Sequence, residues 1–347
     1  MEPTTEPTQP ATNPATEPRF PLAGVDVVLA DLDGVVYTGR NAIDHAVDSL
    51  NRAAESARVG YITNNASRTA DAVAGQLSGF GLSVAADDVV TSPQAAVRLL
   101  ATVVDPGALI LVVGGEGLTT VVEAAGYRVT RSADDGPDGV IQGFSPEVGW
   151  KDLAEAAFAL AADIPWVATN QDWTIPQERG IAPGNGTLVS AVHTAVGKLP
   201  LVAGKPEKAI FDAALERFSA SKPLFIGDRL DTDIIGANKA GIPSVLVLTG
   251  IDKAKQVLAA PTDSRPDFIL GDLRELHEEY PATIETKDPT GARVFEVRSA
   301  RVKLHGNVVT VLDEGSSPVD LLRAGSAAVW ASGLMIYGMV VDPKLYE

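Results

Sequence analysis

The sequence contains no cysteine, so disulfides, thiolate metal sites and cysteine nucleophiles are all excluded. Histidine is scarce as well. The four present (His45, His193, His277 and His305) are scattered along the chain, which argues against a histidine–zinc centre. Positive charge is in short supply: 28 Lys and Arg stand against 45 Asp and Glu, a formal net charge of −17. Such a balance disfavours nucleic acid and anionic membranes as partners. An anionic substrate would then need local positive charge from a metal, a lysine or backbone N–H groups. No apolar run is long enough to span a bilayer. The best candidate, Ala324–Val341, carries no charge but falls short of the roughly 20 residues required, and Gly and Ser interrupt it. Met1–Pro21 is rich in Pro, Thr and Glu, lacks the apolar centre of a secretory signal, and reads as a disordered tail. The expected location is therefore the cytoplasm, without membrane insertion.

What remains is ordinary for a folded enzyme. With 347 residues, 45% hydrophobic and 21% charged, the chain can build two or three good cores. The stretch Val25–Gly34 organises it. An apolar, β-branched run ends in Asp31, Leu32, Asp33 and Gly34, as a buried parallel strand does when it delivers acids to its C-terminal edge. Open α/β sheets place their active sites at that edge. Taken alone, two acids after a strand are as readily caps or turn formers.

Three later stretches change the weighting: Ile62-Thr63-Asn64-Asn65, Gly204-Lys205-Pro206, and Ile226 to Asp233 with Asp228 and Asp233. Each follows or is placed to follow an apolar segment, and together they supply hydroxyl, amide, ammonium and carboxylate groups. Singly, Thr63 is most simply a turn residue and Lys205 a solvated lysine. In this order the set resembles the haloacid dehalogenase (HAD) superfamily, specifically its NagD-like, para-nitrophenylphosphatase-type members. Among these it is similar to glycerol 3-phosphate phosphatases with a C-terminal extension. The likeness runs from about Val25 to Leu276.

The resemblance implies a Mg²⁺-dependent phosphatase acting on small phosphorylated metabolites through an aspartyl-phosphate. Asp31 matches the nucleophile and Asp33 the group that protonates the leaving oxygen and later deprotonates water. The side chains of Asp31 and Asp228 and the backbone carbonyl of Asp33 match the Mg²⁺ ligands, and Asp233 the residue behind them that orients metal-bound water. Thr63, with backbone N–H groups around Asn64, and Lys205 match the phosphate-binding groups. In the stretch Thr169–Pro176, Asn170 and Asp172 either contact substrate or merely cap a turn, and Arg179 follows. Members of the family act on glycerol phosphate, phosphoglycolate, pyridoxal phosphate and nucleotides; glycerol 3-phosphate is the substrate favoured here. Two alternatives stay open: phosphotransfer to an acceptor other than water, and a non-catalytic sensor or scaffold that uses the C-terminal residues.

Alternating strand and helix patterns predict an α/β fold, a HAD-like doubly wound parallel-sheet core made of residues 22–103 and 201–280. A second α/β pattern over 104–200 interrupts it, and by resemblance is a cap that selects substrates. Residues 281–347 read as a small β-β-α-β unit, with Arg293–Leu304 and Val308–Leu312 pairing across His305-Gly306-Asn307. The unit is similar to part of an acetyltransferase-like (GNAT) fold but shows no acyl-CoA phosphate loop. Being marginal alone, it is expected to pack on the core or on another subunit, the latter giving a homo-oligomer.

Overall fold

The structure, a computed structural model, describes residues 19–177 and 179–347. They fall into two compact units. The larger comprises Gly24–Asp252 and Thr262–Arg274; the smaller comprises Lys253–Pro261 and Glu275–Glu347, together with the described residues up to Ala23.

The larger unit contains two parallel sheets. The first has six strands in the order Phe268–Leu270, Ser244–Val247, Pro223–Gly227, Val27–Ala30, Arg58–Thr63 and Val89–Thr91. Val27–Ala30 is buried throughout because it runs between two neighbours, in register Ala30↔Ile226 and Ala30↔Tyr61. From this strand the chain winds outward in one direction, then returns to build the other half from Pro223–Gly227. The switch in winding thus lies between the strands that end at Asp31 and Asp228, which is where such sheets open a crevice.

The second sheet lies in the inserted segment expected to be the cap, in the order Leu201–Val202, Trp166–Ala168, Gly139–Gln142, Leu109–Val113 and Arg128–Thr130. Its last strand pairs with Trp166–Ala168, so the cap sheet runs two residues past the expected end at 200. Helices join the strands, among them Ala70–Gly79, whose cap residue Thr69 accepts a hydrogen bond from Ala72 N.

The smaller unit departs more from expectation. Its sheet runs Thr283–Lys287, Arg293–Val297, Ala300–His305, Val308–Asp313 and Val340–Val341, with the helix Pro318–Ala331 packed on it. The β-β-α-β reading is therefore corrected to four antiparallel strands, a helix and a short parallel edge strand. Arg293–Leu304 is two strands because Arg298 takes a left-handed φ of 50° and turns the chain. The helix Ala254–Ala259 and residues after Arg274 also join this unit rather than the core: Trp330 Nε1 donates to Val257 O at 3.2 Å, and Arg323 pairs with Glu275 and lies over the Tyr280 ring.

The tail read as disordered lies, through residue 18, outside the described residues. Arg19 forms a bridge with Tyr280 and Pro21 is buried, so residues 19–21 of that stretch belong to the fold, contrary to the expectation. Among the described residues no helix is long and apolar enough to cross a membrane.

Candidate active site

The acids sit where three strands stop. Asp31 N donates to Ile226 O at 2.8 Å, which extends the sheet by one residue and fixes the start of the loop. The chain then turns at Gly34, in the left-handed region at φ 83°. A hairpin of Tyr37–Thr38 and Asn41–Ala42 follows. Thr63 ends the neighbouring strand, and its hydroxyl accepts from Asn65 N at 3.1 Å. The hydroxyl thereby shapes the turn and keeps its own proton free to donate. Asp228 follows Gly227 directly on the other side.

Lys205, only 4% exposed, reaches into this group from the loop after the last cap strand. Its Nζ lies 2.6 Å from Asp31 Oδ1 and 2.7 Å from Asp233 Oδ1. Burial alone would depress the lysine pKa, but Asp233 and Asp31 outweigh it and raise the value, so the ammonium stays charged. Asp233 spends its second oxygen on Asp228 N and Arg229 N, both at 3.1 Å. It is an organiser of the loop.

Asp228 is held differently. Ile251 N donates to its Oδ2 at 2.6 Å, while Oδ1 is buried with no hydrogen-bond partner. Buried polar atoms are rarely left so. Oxygens of Asp31, Asp228 and Asp233 lie within 4.8 Å of one another, and carboxylates without sulfur or imidazole suit a hard divalent cation. The residues present fit such an ion. Burial raises the Asp31 carboxyl well above its ordinary value, with Lys205 opposing; burial and the Asp233 charge push Asp228 up to about 7. A cation at this point would favour the ionised form of both. Asp33 remains exposed to solvent, yet the protein around it desolvates its carboxyl and raises its pKa, against the pull of Lys205 and Arg68.

The cap brings Asn170 and Asp172 to the same place. Gly186 N and Gly184 N, at the start of the helix Asn185–Val196, donate to Asp172 O and Trp173 O, each at 2.9 Å. Asn185 Nδ2 donates to Asn170 O at 2.8 Å. The loop therefore hangs from a helix N-terminus. The Asn170 carboxamide is engaged within the protein: Nδ2 donates to Asn64 O at 2.8 Å and Oδ1 accepts from Asp172 N at 3.1 Å. Asp172 Oδ1 accepts from Asn64 Nδ2 at 3.0 Å. The Asn170 carboxamide thus makes the turn at Asp172, one of the two tasks the sequence offered for these residues.

The family model for haloacid dehalogenase-like hydrolases matches residues 28–128, and a HAD-hydrolase-like model matches 202–276. The D-glycerol 3-phosphate phosphatase of Mycobacterium tuberculosis is 44% identical over 307 residues, covering 88% of this chain and 86% of the relative. The chain belongs to the haloacid dehalogenase-like hydrolases. It is a phosphatase of that family. The crystal structure of the M. tuberculosis glycerol phosphate phosphatase in complex with magnesium superposes with a TM-score of 0.83 at 41% identity, covering 93% of this chain and 95% of that one. A 4-nitrophenylphosphatase from Thermotoga maritima gives 0.69 at 30% identity, covering 75% of this chain and 99% of its own. The haloacid dehalogenase-like fold is thus complete in a relative about a quarter shorter than this chain.

Several residues that shape the site escaped the sequence reading. Gly250 and Ile251 follow the strand Ser244–Val247, and the rule that sites gather at the C-terminal edge would have found them. Arg68, whose charge opposes the upward push that burial gives the Asp33 and Tyr37 pKa values, stands three residues after Asn65. The Tyr37 hydroxyl hydrogen-bonds Asp33, a contact that no spacing rule predicts.

Proposed function

We propose that this phosphatase hydrolyses glycerol 3-phosphate with Mg²⁺, through a phosphoryl group carried on Asp31. The single observation that carries the reading is the ammonium of Lys205 held between Asp31 and Asp233, beside an Asp228 oxygen that has no partner. The substrate class is supported by 44% identity to a D-glycerol 3-phosphate phosphatase. The side chains of Asp31 and Asp228 and the carbonyl of Asp33 would hold the ion. When bound, Mg²⁺ neutralises phosphate and carboxylate oxygens that would otherwise repel each other.

The residues divide the work as follows. A carboxylate oxygen of Asp31 attacks phosphorus as the ester P–O bond breaks, and Asp33 gives its proton to the departing glycerol oxygen. Water then attacks the same phosphorus, its proton passes to Asp33, and the bond to Asp31 breaks, releasing inorganic phosphate. The raised pKa of Asp33 suits a group that must carry a proton and return it. The Thr63 hydroxyl and the Lys205 ammonium bind phosphate oxygens, and Lys205 keeps Asp31 aligned. The reading retains the cytoplasmic location expected from sequence, which cell fractionation tests.

Phosphate release from a panel containing glycerol 3-phosphate, phosphoglycolate, pyridoxal phosphate and nucleotides, with and without EDTA, tests the proposal. Glycerol 3-phosphate should give the highest kcat/KM, and EDTA or Asp31→Asn should abolish it. Metal-independent turnover sinks the chemistry; preference for another ester sinks the substrate.

A further inference from the structure

We infer that Asn64 is a positioning residue whose carboxamide ties the docked cap loop to the backbone of Lys205, so that the cap helps to set the catalytic ammonium. Its side chain makes three hydrogen bonds. Oδ1 accepts from Lys205 N at 2.8 Å, and Nδ2 donates to Lys205 O at 3.0 Å and to Asp172 Oδ1 at 3.0 Å. The first two bonds pair the amide with one residue's N–H and C=O, as an adjacent strand would. Rotating the amide by half a turn would set its oxygen against a carbonyl and a carboxylate, so the orientation is fixed by its partners. The main chain of Asn64 joins in: its carbonyl accepts from Asn170 Nδ2 at 2.8 Å and from Ser92 Oγ at 2.7 Å.

A second observation is independent of these bonds. A Cβ on Gly204, the residue before Lys205, would lie 2.6 Å from Thr169 O and 2.7 Å from Asn64 Oδ1. Cap loop and lysine loop therefore touch closely enough to need glycine there. Only a carboxamide of this length offers one acceptor and two donors in the required directions. Aspartate is isosteric but loses both donors and faces the Asp172 carboxylate. The inference rests on the phosphatase reading and not on the choice of glycerol 3-phosphate.

The test is a double-mutant cycle of Asn64→Asp, Asp172→Asn and the pair, assayed on para-nitrophenyl phosphate and on glycerol 3-phosphate, with Gly204→Ala beside it. Asn64→Asp should lower kcat on both esters by about 100-fold, the cost of shifting a catalytic group by about 1 Å, with KM little changed. The pair restores the bond between residues 64 and 172 with donor and acceptor exchanged. It should recover about tenfold over Asn64→Asp and stay below wild type, because Lys205 O still lacks a donor. Gly204→Ala should lower kcat with every side chain of the network intact. Strict additivity in the cycle, or wild-type kcat in both Asn64→Asp and Gly204→Ala, overturns the inference. A wild type that turns over para-nitrophenyl phosphate but not glycerol 3-phosphate overturns only the substrate assignment.

Discussion

Adding one methyl group at Gly250 should disable the site from behind. The Cβ of an alanine there would lie 1.9 Å from Asp228 Oδ2, 2.3 Å from its Cγ and 2.4 Å from its Cβ. Non-bonded heavy atoms settle near about 3.5 Å, so Asp228 must retreat by roughly 1.5 Å. It cannot swing only its tip, since its Cβ is also too close. The retreat breaks the bond from Ile251 N to Asp228 Oδ2, a charge-assisted contact of about 1.5–3 kcal/mol. It also displaces the unpartnered Oδ1. Displacing the support of a metal ligand costs about 10- to 100-fold in metal affinity. Isothermal titration of Gly250→Ala with Mg²⁺ and turnover of para-nitrophenyl phosphate across a Mg²⁺ series measure both effects. Gly75→Ala serves as control, because no atom lies within 4 Å of the added Cβ there, and a helix prefers alanine. If Gly250→Ala binds Mg²⁺ and turns over as wild type does, the packing argument for Asp228 is wrong.

Replacing Lys205 by Met leaves two carboxylates facing each other around a buried apolar chain. Breaking one side of a buried ion pair costs about 3–5 kcal/mol, so the melting temperature should fall and turnover vanish; an unchanged melting curve contradicts this. The Asp228 carboxyl, pushed up to about 7 by burial and Asp233, binds a proton in the folded metal-free chain that it releases on unfolding. Its contribution to stability is therefore present at low pH and is lost as pH rises through about 7. Because Mg²⁺ requires the ionised form, its stabilising effect should weaken below that value. Equal Mg²⁺-induced melting shifts at about pH 6 and pH 8 would contradict that linkage. Asp33→Asn should lower turnover by about 10²- to 10⁴-fold while Mg²⁺ affinity, read by titration, stays close to wild type. A comparable loss of Mg²⁺ binding would show that the residue acts through its side chain on the metal.

The core was legible because its cause is local. A strand buried on both faces must be apolar along its whole length, so the run before Asp31 announces both the parallel sheet and the edge where its acids emerge. The same holds for the residues before Asp228. Thr63 shows how one residue can carry two tasks: one lone pair makes the turn, and the hydroxyl proton remains available for the phosphate contact proposed for it. Asn64 was legible only as a neighbour of Thr63, because its partners lie 108 and 141 residues away in sequence. The C-terminal sheet was misread for a physical reason as well. Thr283–Lys287 is exposed at every position, so it has no alternating pattern to find. Arg298 makes its turn without glycine, helped by its ion pair with Asp320.

The charges of the site explain why an acidic protein can work on phosphate esters. Asp31, Asp228 and Asp233 crowd together, and Lys205 balances only one of their charges. With all three ionised, two negative charges are left, which one divalent cation cancels. Each pair of unit charges about 5 Å apart repels by about 3 kcal/mol at an effective dielectric near 20, so without a cation the site either takes up protons or repels a phosphate dianion. Lys205 cannot serve both acids and substrate alone; its first duty is to keep Asp31 and Asp233 in place. The lone pair left open on Asp228 is therefore where we propose that this chain's missing positive charge enters. The absence of cysteine and of clustered histidine selects the kind of cation that enters: hard, divalent and held by oxygen.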